Sequence, residues 1–152
     1  MLINIDPVLG PDILHTLRAM GHGDKIIVCD SNFPAYSMNS RVHRLDGIEA
    51  ARSMKAILSV FPLDSFIEYP ILRMQIDNKP DEINDVHQEV MNVLEVSSKI
   101  NWKMGSIERF QFYEEAKKAF AIITTNENRP FGCFLLTKGV IKPDGSVWIK
   151  DQ

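Results

Sequence analysis

Cysteine is scarce in this 152-residue chain, which has only Cys29 and Cys133. They stand far apart with no Cys-x-x-Cys or Cys/His ligand spacing, so neither a disulfide framework nor a zinc site is expected, and both read as reduced thiols. A surplus of positive charge is also missing. Seventeen Lys and Arg against twenty Asp and Glu leave a net charge of -3, which supplies no field for a phosphate backbone and argues against a nucleic-acid partner. No apolar run approaches the roughly 18 residues of a membrane span. The opening MLINIDPVLGP has no basic stretch and meets Asp6, Pro7 and Gly10 too soon for a signal peptide. No membrane partner and a cytoplasmic location are expected. Internal repeats, low-complexity tracts and Ser/Gly linkers are absent, which leaves one domain over 1–152. The P-loop, GxGxxG, GxSxG and HExxH patterns are absent as well, so the commonest enzyme signatures do not apply.

What is present is ordinary globular material, 45% hydrophobic and 24% charged. Pro11 opens a helical stripe of Ile13, Leu14, Leu17 and Met20, with Gly21 placed as its C-cap. Lys25 to Asp30 is a β-branched run without alternation, the pattern of a strand buried on both faces, and Asp30 marks its end. Ser31 to Ser40 reads as an irregular loop leading to a short strand over Arg41 to Leu45. A second helix spans Gly47 to Phe61 and stops at Pro62, and Ile71 to Ile76 is a third strand. Pro80 and Asp81 start a helix through Val86, Val90, Val93 and Leu94. Ser106 is the N-cap expected for a helix through about Lys118. FAIITT and FGCFLLT are two further strands. Around Pro143-Asp144-Gly145 a tight turn predicts a C-terminal hairpin extension over 142–152. Interleaved helices and doubly buried strands predict an α/β domain, three layers with helices on both faces of one mostly parallel or mixed sheet.

Two residues attract attention on local grounds. His22 sits between two glycines just past a helix end, where the backbone turns sharply and leaves the imidazole reachable. Asp30 closes an apparently parallel strand, the position at which open α/β sheets place ligand groups. Each also has a plain reading, a helix-ending turn for the first and an Asx-turn for the second. His15 and His87 lie off the apolar stripes and read as solvated, and the Glu114, Glu115, Lys117, Lys118 cluster as a solvated helix face. Phe110, Phe112 and Phe120 read as core or as a subunit interface.

Three blocks carry more: GHGDKIIVCDSNFPAYSM at 21–38, RFQFYEEAKKAFAIITT at 109–125 and FGCFLLTKGV at 131–140. Together, in this order, they resemble the RbsD/FucU family of L-fucose mutarotases and D-ribose pyranases, over about Leu2 to Ile141. The L-fucose branch is the nearer, with its GHGD, FPAHSM and RF-x-FYERA-x-KAFAI blocks. The resemblance implies His22 as proton donor and Asp30 and Arg109 as sugar contacts. It implies a further contact from a Tyr-Gly-Asn triplet, which stands here as Phe131, Gly132 and Cys133. Phenylalanine lacks the hydroxyl, and a thiol is a weaker hydrogen-bonding group than a carboxamide, so backbone contacts there survive and side-chain contacts are weakened. Tyr36 stands where that branch usually has His.

These residue types suit the implied reaction. A reducing sugar changes anomer by ring opening and reclosure, which needs one proton given to the ring oxygen and one taken from the anomeric hydroxyl. No cofactor is required. An imidazole serves both steps near neutrality. Arg109 stays protonated and anchors hydroxyls or an oxyanion, while Tyr113, one turn on, faces the same expected pocket. A sugar-binding sensor with little catalysis is the alternative from another class, and ribose pyranase a third. Eight residues separate His22 from Asp30, up to ~26 Å along a straight strand. One monosaccharide does not span that, so either the chain bends sharply at Gly23 and Asp24, which shortens the gap only partly, or His22 of one subunit meets Asp30 and Arg109 of another, and the resemblance implies the second. The resemblance implies a decamer of two pentameric rings with sites at subunit boundaries.

Overall fold

The computed structural model describes residues 1–150. Its elements run α1 (Pro11–Ala19), β1 (Lys25–Cys29), α2 (Ala35–Met38), β2 (Val42–Leu45), α3 (Ala50–Leu58), β3 (Ile71–Met74), α4 (Asp85–Ser97), β4 (Met104–Ile107), α5 (Arg109–Lys118), β5 (Ala121–Thr125) and β6 (Phe134–Thr137). The strands form one six-stranded sheet in the order β2-β5-β1-β6-β3-β4. β1 and β2 run parallel to β5, β3 runs parallel to β4, and β6 is antiparallel to both β1 and β3.

The unbroken run Ile26-Ile27-Val28-Cys29 is fully buried because both faces are covered. Ile26 and Val28 join Ile13, Leu17, Met54, Ile57, Val86 and Val90 under α1, α3 and α4. Ile27 and Cys29 join Phe33, Phe112 and Ala116 under α2 and α5. This is the expected α/β/α sandwich with a mixed sheet.

Several local expectations are corrected. Ser106 does not cap a helix; it lies in β4, a half-buried edge strand whose Met-Gly-Ser-Ile sequence carries little strand pattern. The cap of α5 is Glu108, whose carboxylate accepts the Phe110 and Gln111 N–H groups. α4 starts at Asp85 and not at Pro80, because Asn84 supplies the cap: its side chain accepts from the His87 N–H at 3.0 Å. α3 is shorter at both ends than the expected helix, and β3 ends two residues early. The expected loop at 31–40 contains the one-turn α2. Met20 and not Gly21 is the C-cap of α1; the positive φ of 83° falls at Gly23. His87 is fully buried and not solvated, since its position beside Val86 turns it onto the sheet, edge-on to Phe134. Phe112 is core, whereas Phe110 stays 60% exposed. The last two residues of the expected hairpin lie outside the described residues. Within them, Ile141 bridges Val147 across the turn.

Candidate functional site

The sheet topology sorts the singled-out residues onto two edges. β1 and β4 end on the same edge, and β6, antiparallel to β1, starts there. Asp30, Phe131 to Cys133 and the α5 start with Arg109 and Tyr113 therefore share one edge. His22 precedes β1 and lies at the opposite edge, where its neighbour Gly23 donates to the Lys138 carbonyl just past β6. One chain thus does not gather His22 with Asp30 and Arg109.

Asp30 is buried at 4% exposure and accepts three hydrogen bonds. Its Oδ1 accepts the Asn32 N–H at 3.0 Å, and its Oδ2 accepts the Gly132 N–H at 3.1 Å and the Cys133 thiol at 3.3 Å. Burial pushes its carboxyl above the ordinary range, while the Cys133, Asn32 and Gly132 hydrogen bonds pull the other way. Burial also pushes the Cys133 thiol well up, which keeps it a protonated donor. Cys133 is therefore turned inward, onto Asp30, and only 1% exposed.

The turn that aims these groups is strained and tightly fitted. Phe131 has φ +61°, a left-handed conformation that costs a non-glycine residue about 1–3 kcal/mol. Its carbonyl accepts from His87 Nε2 at 2.8 Å, and the preceding Pro130 carbonyl accepts from the Asn84 side chain at 2.9 Å. Because His87 Nδ1 accepts the Asn84 N–H at 3.4 Å, the ring is neutral with its proton on Nε2. Burial drops its pKa to about 4. A side chain at Gly132 would strike Glu127 Cγ at 2.9 Å, so the close approach requires glycine. Glu127, also buried, is held by Arg129, which forks to Glu89 at 2.7 and 2.8 Å.

Arg109 opens α5 with an exposed guanidinium 4.7 Å from the Phe110 ring. Tyr113 packs edge-on to Phe33 at 5.5 Å. Phe33 belongs to the Asp30 turn, its N–H donating to the Asp30 carbonyl. Tyr113 is thereby tied to the Asp30 turn, and Arg109 stands one helical turn before it at the start of α5. Tyr36 is 67% exposed.

At the other edge His22 Nε2 lies 3.2 Å from Oδ1 of Asp64, a carboxylate only 5% exposed beside an imidazole 47% exposed. Asp64 arrives there because the chain leaving β6 pairs with residues 62–64. Asp64 N–H donates to the Thr137 carbonyl and Gly139 N–H to that of Pro62. His22 borders an open cleft of about 530 Å³ lined also by Arg18, Lys138, Val140 and Ile141. Lys138 is tied to the Leu17 and Met20 carbonyls at the end of α1. Sequence reasoning misses Asp64 and Glu127 and takes His87 for a surface residue. A carboxylate in a loop and a histidine in a helix carry no signal until the fold supplies their partners. Among the described residues no three His, Cys, Asp or Glu side chains are grouped to hold a metal ion, and no helix is long and apolar enough to cross a membrane.

Comparison with known proteins agrees with this architecture. An L-fucose mutarotase of Haemophilus influenzae (strain 86-028NP) is 36% identical over 140 residues, 92% of this chain and 97% of that protein. The crystal structure of a Streptococcus pneumoniae fucose mutarotase in complex with L-fucose matches with a TM-score of 0.85 at 33% identity, covering 93% of this chain and 100% of the other. The crystal structure of protein Atu2016, a candidate sugar-binding protein, matches with a TM-score of 0.90 at 48% identity, over 93% and 97% of the two chains. The model of the RbsD / FucU transport protein family matches residues 3–141. With nearly the whole chain covered, this protein belongs to the RbsD / FucU family.

Proposed function

We propose that the protein is a monosaccharide mutarotase that interconverts the anomers of L-fucose or a related reducing sugar in the cytoplasm. The observation that carries this reading is the His22–Asp64 pair, with His22 bordering an open cleft of about 530 Å³, in a chain similar over 92% of its length to an L-fucose mutarotase. A carboxylate accepts only, so Asp64 accepts the Nε2–H hydrogen bond and leaves Nδ1 to trade a proton with the sugar. Protonated there, the imidazole gives that proton to the ring oxygen while a solvent water takes the proton of the anomeric hydroxyl. The aldehyde then forms, rotates and recloses from its other face, and the protons return.

The second part of the site is Asp30 with Arg109, Tyr113 and the Phe131-Gly132-Cys133 turn. Asp30 accepts sugar hydroxyls and Arg109 donates to them, while the turn contributes mainly backbone groups. Since the two parts lie on opposite sheet edges of one chain, we assign the working site to a boundary between subunits, in a ring-based decamer of two pentamers.

One observation favours a second reading, a sugar-binding sensor with little catalysis. Cys133 gives its thiol to Asp30, and Phe131 has no hydroxyl, so the turn offers few side-chain hydrogen bonds to a sugar. Saturation-transfer NMR on equilibrated reducing sugars, with and without protein, separates the two. Faster exchange between L-fucose anomers is expected. Line broadening without exchange leaves the sensor, and neither effect with any sugar rejects both.

A further inference from the structure

Residues 142–150 lie beyond the family match, yet they fold back onto the molecule. Gly145 N–H donates to the Lys142 carbonyl at 2.9 Å and Lys142 N–H to that of Ser146 at 2.8 Å, closing a tight turn. The returning chain then pairs with the strip that lines the His22 cleft, Trp148 N–H donating to the Val140 carbonyl at 2.8 Å. A second clamp comes from Ser65, whose hydroxyl donates to the Trp148 carbonyl at 2.7 Å and accepts the Lys150 N–H at 2.9 Å. Ser65 and Phe66 directly follow Asp64, the residue at His22 Nε2. The outcome is a row of three rings: His22 to Phe66 at 5.5 Å, and Phe66 to Trp148 edge-on at 5.9 Å.

Neither aromatic belongs to a core cluster. Phe66 is 39% and Trp148 48% exposed, so the row presents apolar surface to solvent on the Asp64 side of a half-open histidine, next to the 530 Å³ cleft and not in its lining. Aromatic walls with a few placed polar groups are the usual lining of small-molecule sites. A sugar offers such a wall its C–H face, and a 6-deoxy sugar adds a methyl group.

We propose that Phe66 and Trp148 form the apolar wall of the His22 sugar site, and that Trp148 is a specificity-determining residue selecting a methyl-bearing sugar over its hydroxymethyl counterpart. This rests on His22 acting on the sugar. L-fucose and L-galactose differ only by the hydroxyl at C6, which makes them the probes. A pocket that only repels an added hydroxyl discriminates modestly, so the effect sought is in the tens-fold range or below.

The test compares full-length wild type, Trp148→Ala, Trp148→Phe and Phe66→Leu by anomer-exchange NMR on both sugars. Trp148→Ala is expected to raise KM for L-fucose about fivefold or more with kcat within twofold, the pattern of lost binding shared by ground and transition states. The preference for L-fucose over L-galactose falls in parallel, and Trp148→Phe keeps most of it. Unchanged KM and preference in Trp148→Ala and Phe66→Leu overturn the proposal. So does equal loss on both sugars with a lowered Tm, which marks mere structural support. Wild-type exchange with silent wall variants rejects this inference alone, whereas a wild type that neither exchanges nor binds L-fucose rejects it together with the function.

Discussion

His22 and His87 show how differently one residue type behaves at two burials. His22 is half-exposed with a single carboxylate partner. Replacing it with Ala is expected to slow anomer exchange by roughly 10²- to 10⁴-fold with the circular dichroism unchanged, because it packs in neither core cluster. Near-wild-type exchange in that variant removes it as the proton donor. His87 is sealed and neutral, its pKa lowered from 6.5 to about 4 by burial. The unfolded chain takes up its proton first as pH falls. The stability this group contributes is therefore whole above about pH 6.5, drains between there and pH 4, and is gone below. That loss is about 3 kcal/mol at most, because each tenfold drop in proton affinity on folding is worth about 1.4 kcal/mol. His87→Gln retains a donor for the Phe131 carbonyl and has no such titration. Urea unfolding at pH 7 and pH 4 is expected to show the wild type losing more than the variant, and equal losses contradict the assignment.

At the scale of elements, the strip leaving β6 does the most for the His22 side. Gly139 passes so close to the 62–64 segment that a Cβ there would lie 2.3 Å from the Leu63 carbonyl oxygen. Gly139→Ala is expected to push that segment away, lengthen the His22–Asp64 contact and lower kcat, with a stability loss of about 1–3 kcal/mol for overpacking. Tm together with exchange kinetics checks it; wild-type values for both show that the strip has slack. On the other edge, α4 plays the corresponding part. Asn84 caps it and holds the Pro130 carbonyl, and His87 one turn in holds Phe131. One helix start thus serves as its own cap and as the brace for a strained turn. Local pattern places this helix too early because Pro80 is a good opener by type. Pro80 instead sits in the connection before α4, where its carbonyl accepts from the Arg73 guanidinium.

For the whole molecule, the separation of the two proposed half-sites governs how a site could be assembled. β1 stands between His22 and Asp30, and no rearrangement of side chains closes a five-residue strand. The proposed ring assembly is expected to run in light scattering at micromolar concentration as a stable oligomer, decameric in mass, and a monomer there would contradict it. Mixing His22→Ala with Asp30→Asn subunits extends the test. Hybrid rings regain part of the exchange if sites are shared between subunits, and none if each chain works alone.

Much of this was legible in order and composition. A doubly buried strand shows as an unbroken β-branched run, and an amphipathic helix as a 3.6-residue stripe, since both follow from which neighbours a local backbone presents to the core. The three motif blocks carry the family, and they point to His22, Asp30 and Arg109 as the residues proposed to act on the sugar. Local reading failed where the partner is distant in the chain. β4 is an edge strand recruited by β3, and Ser106 cannot show that on its own. Asp64 comes within 3.2 Å of His22 across 42 positions. Cys133 meets Asp30 across 103 and His87 meets Phe131 across 44. The amino-acid order by itself determined most of the elements, the layers and the family. Only the tertiary structure decided which carboxylate holds the histidine, which way the thiol turns and which edge His22 and Asp30 each occupy. Those depend on strand order and on chain reversals, which no local period encodes.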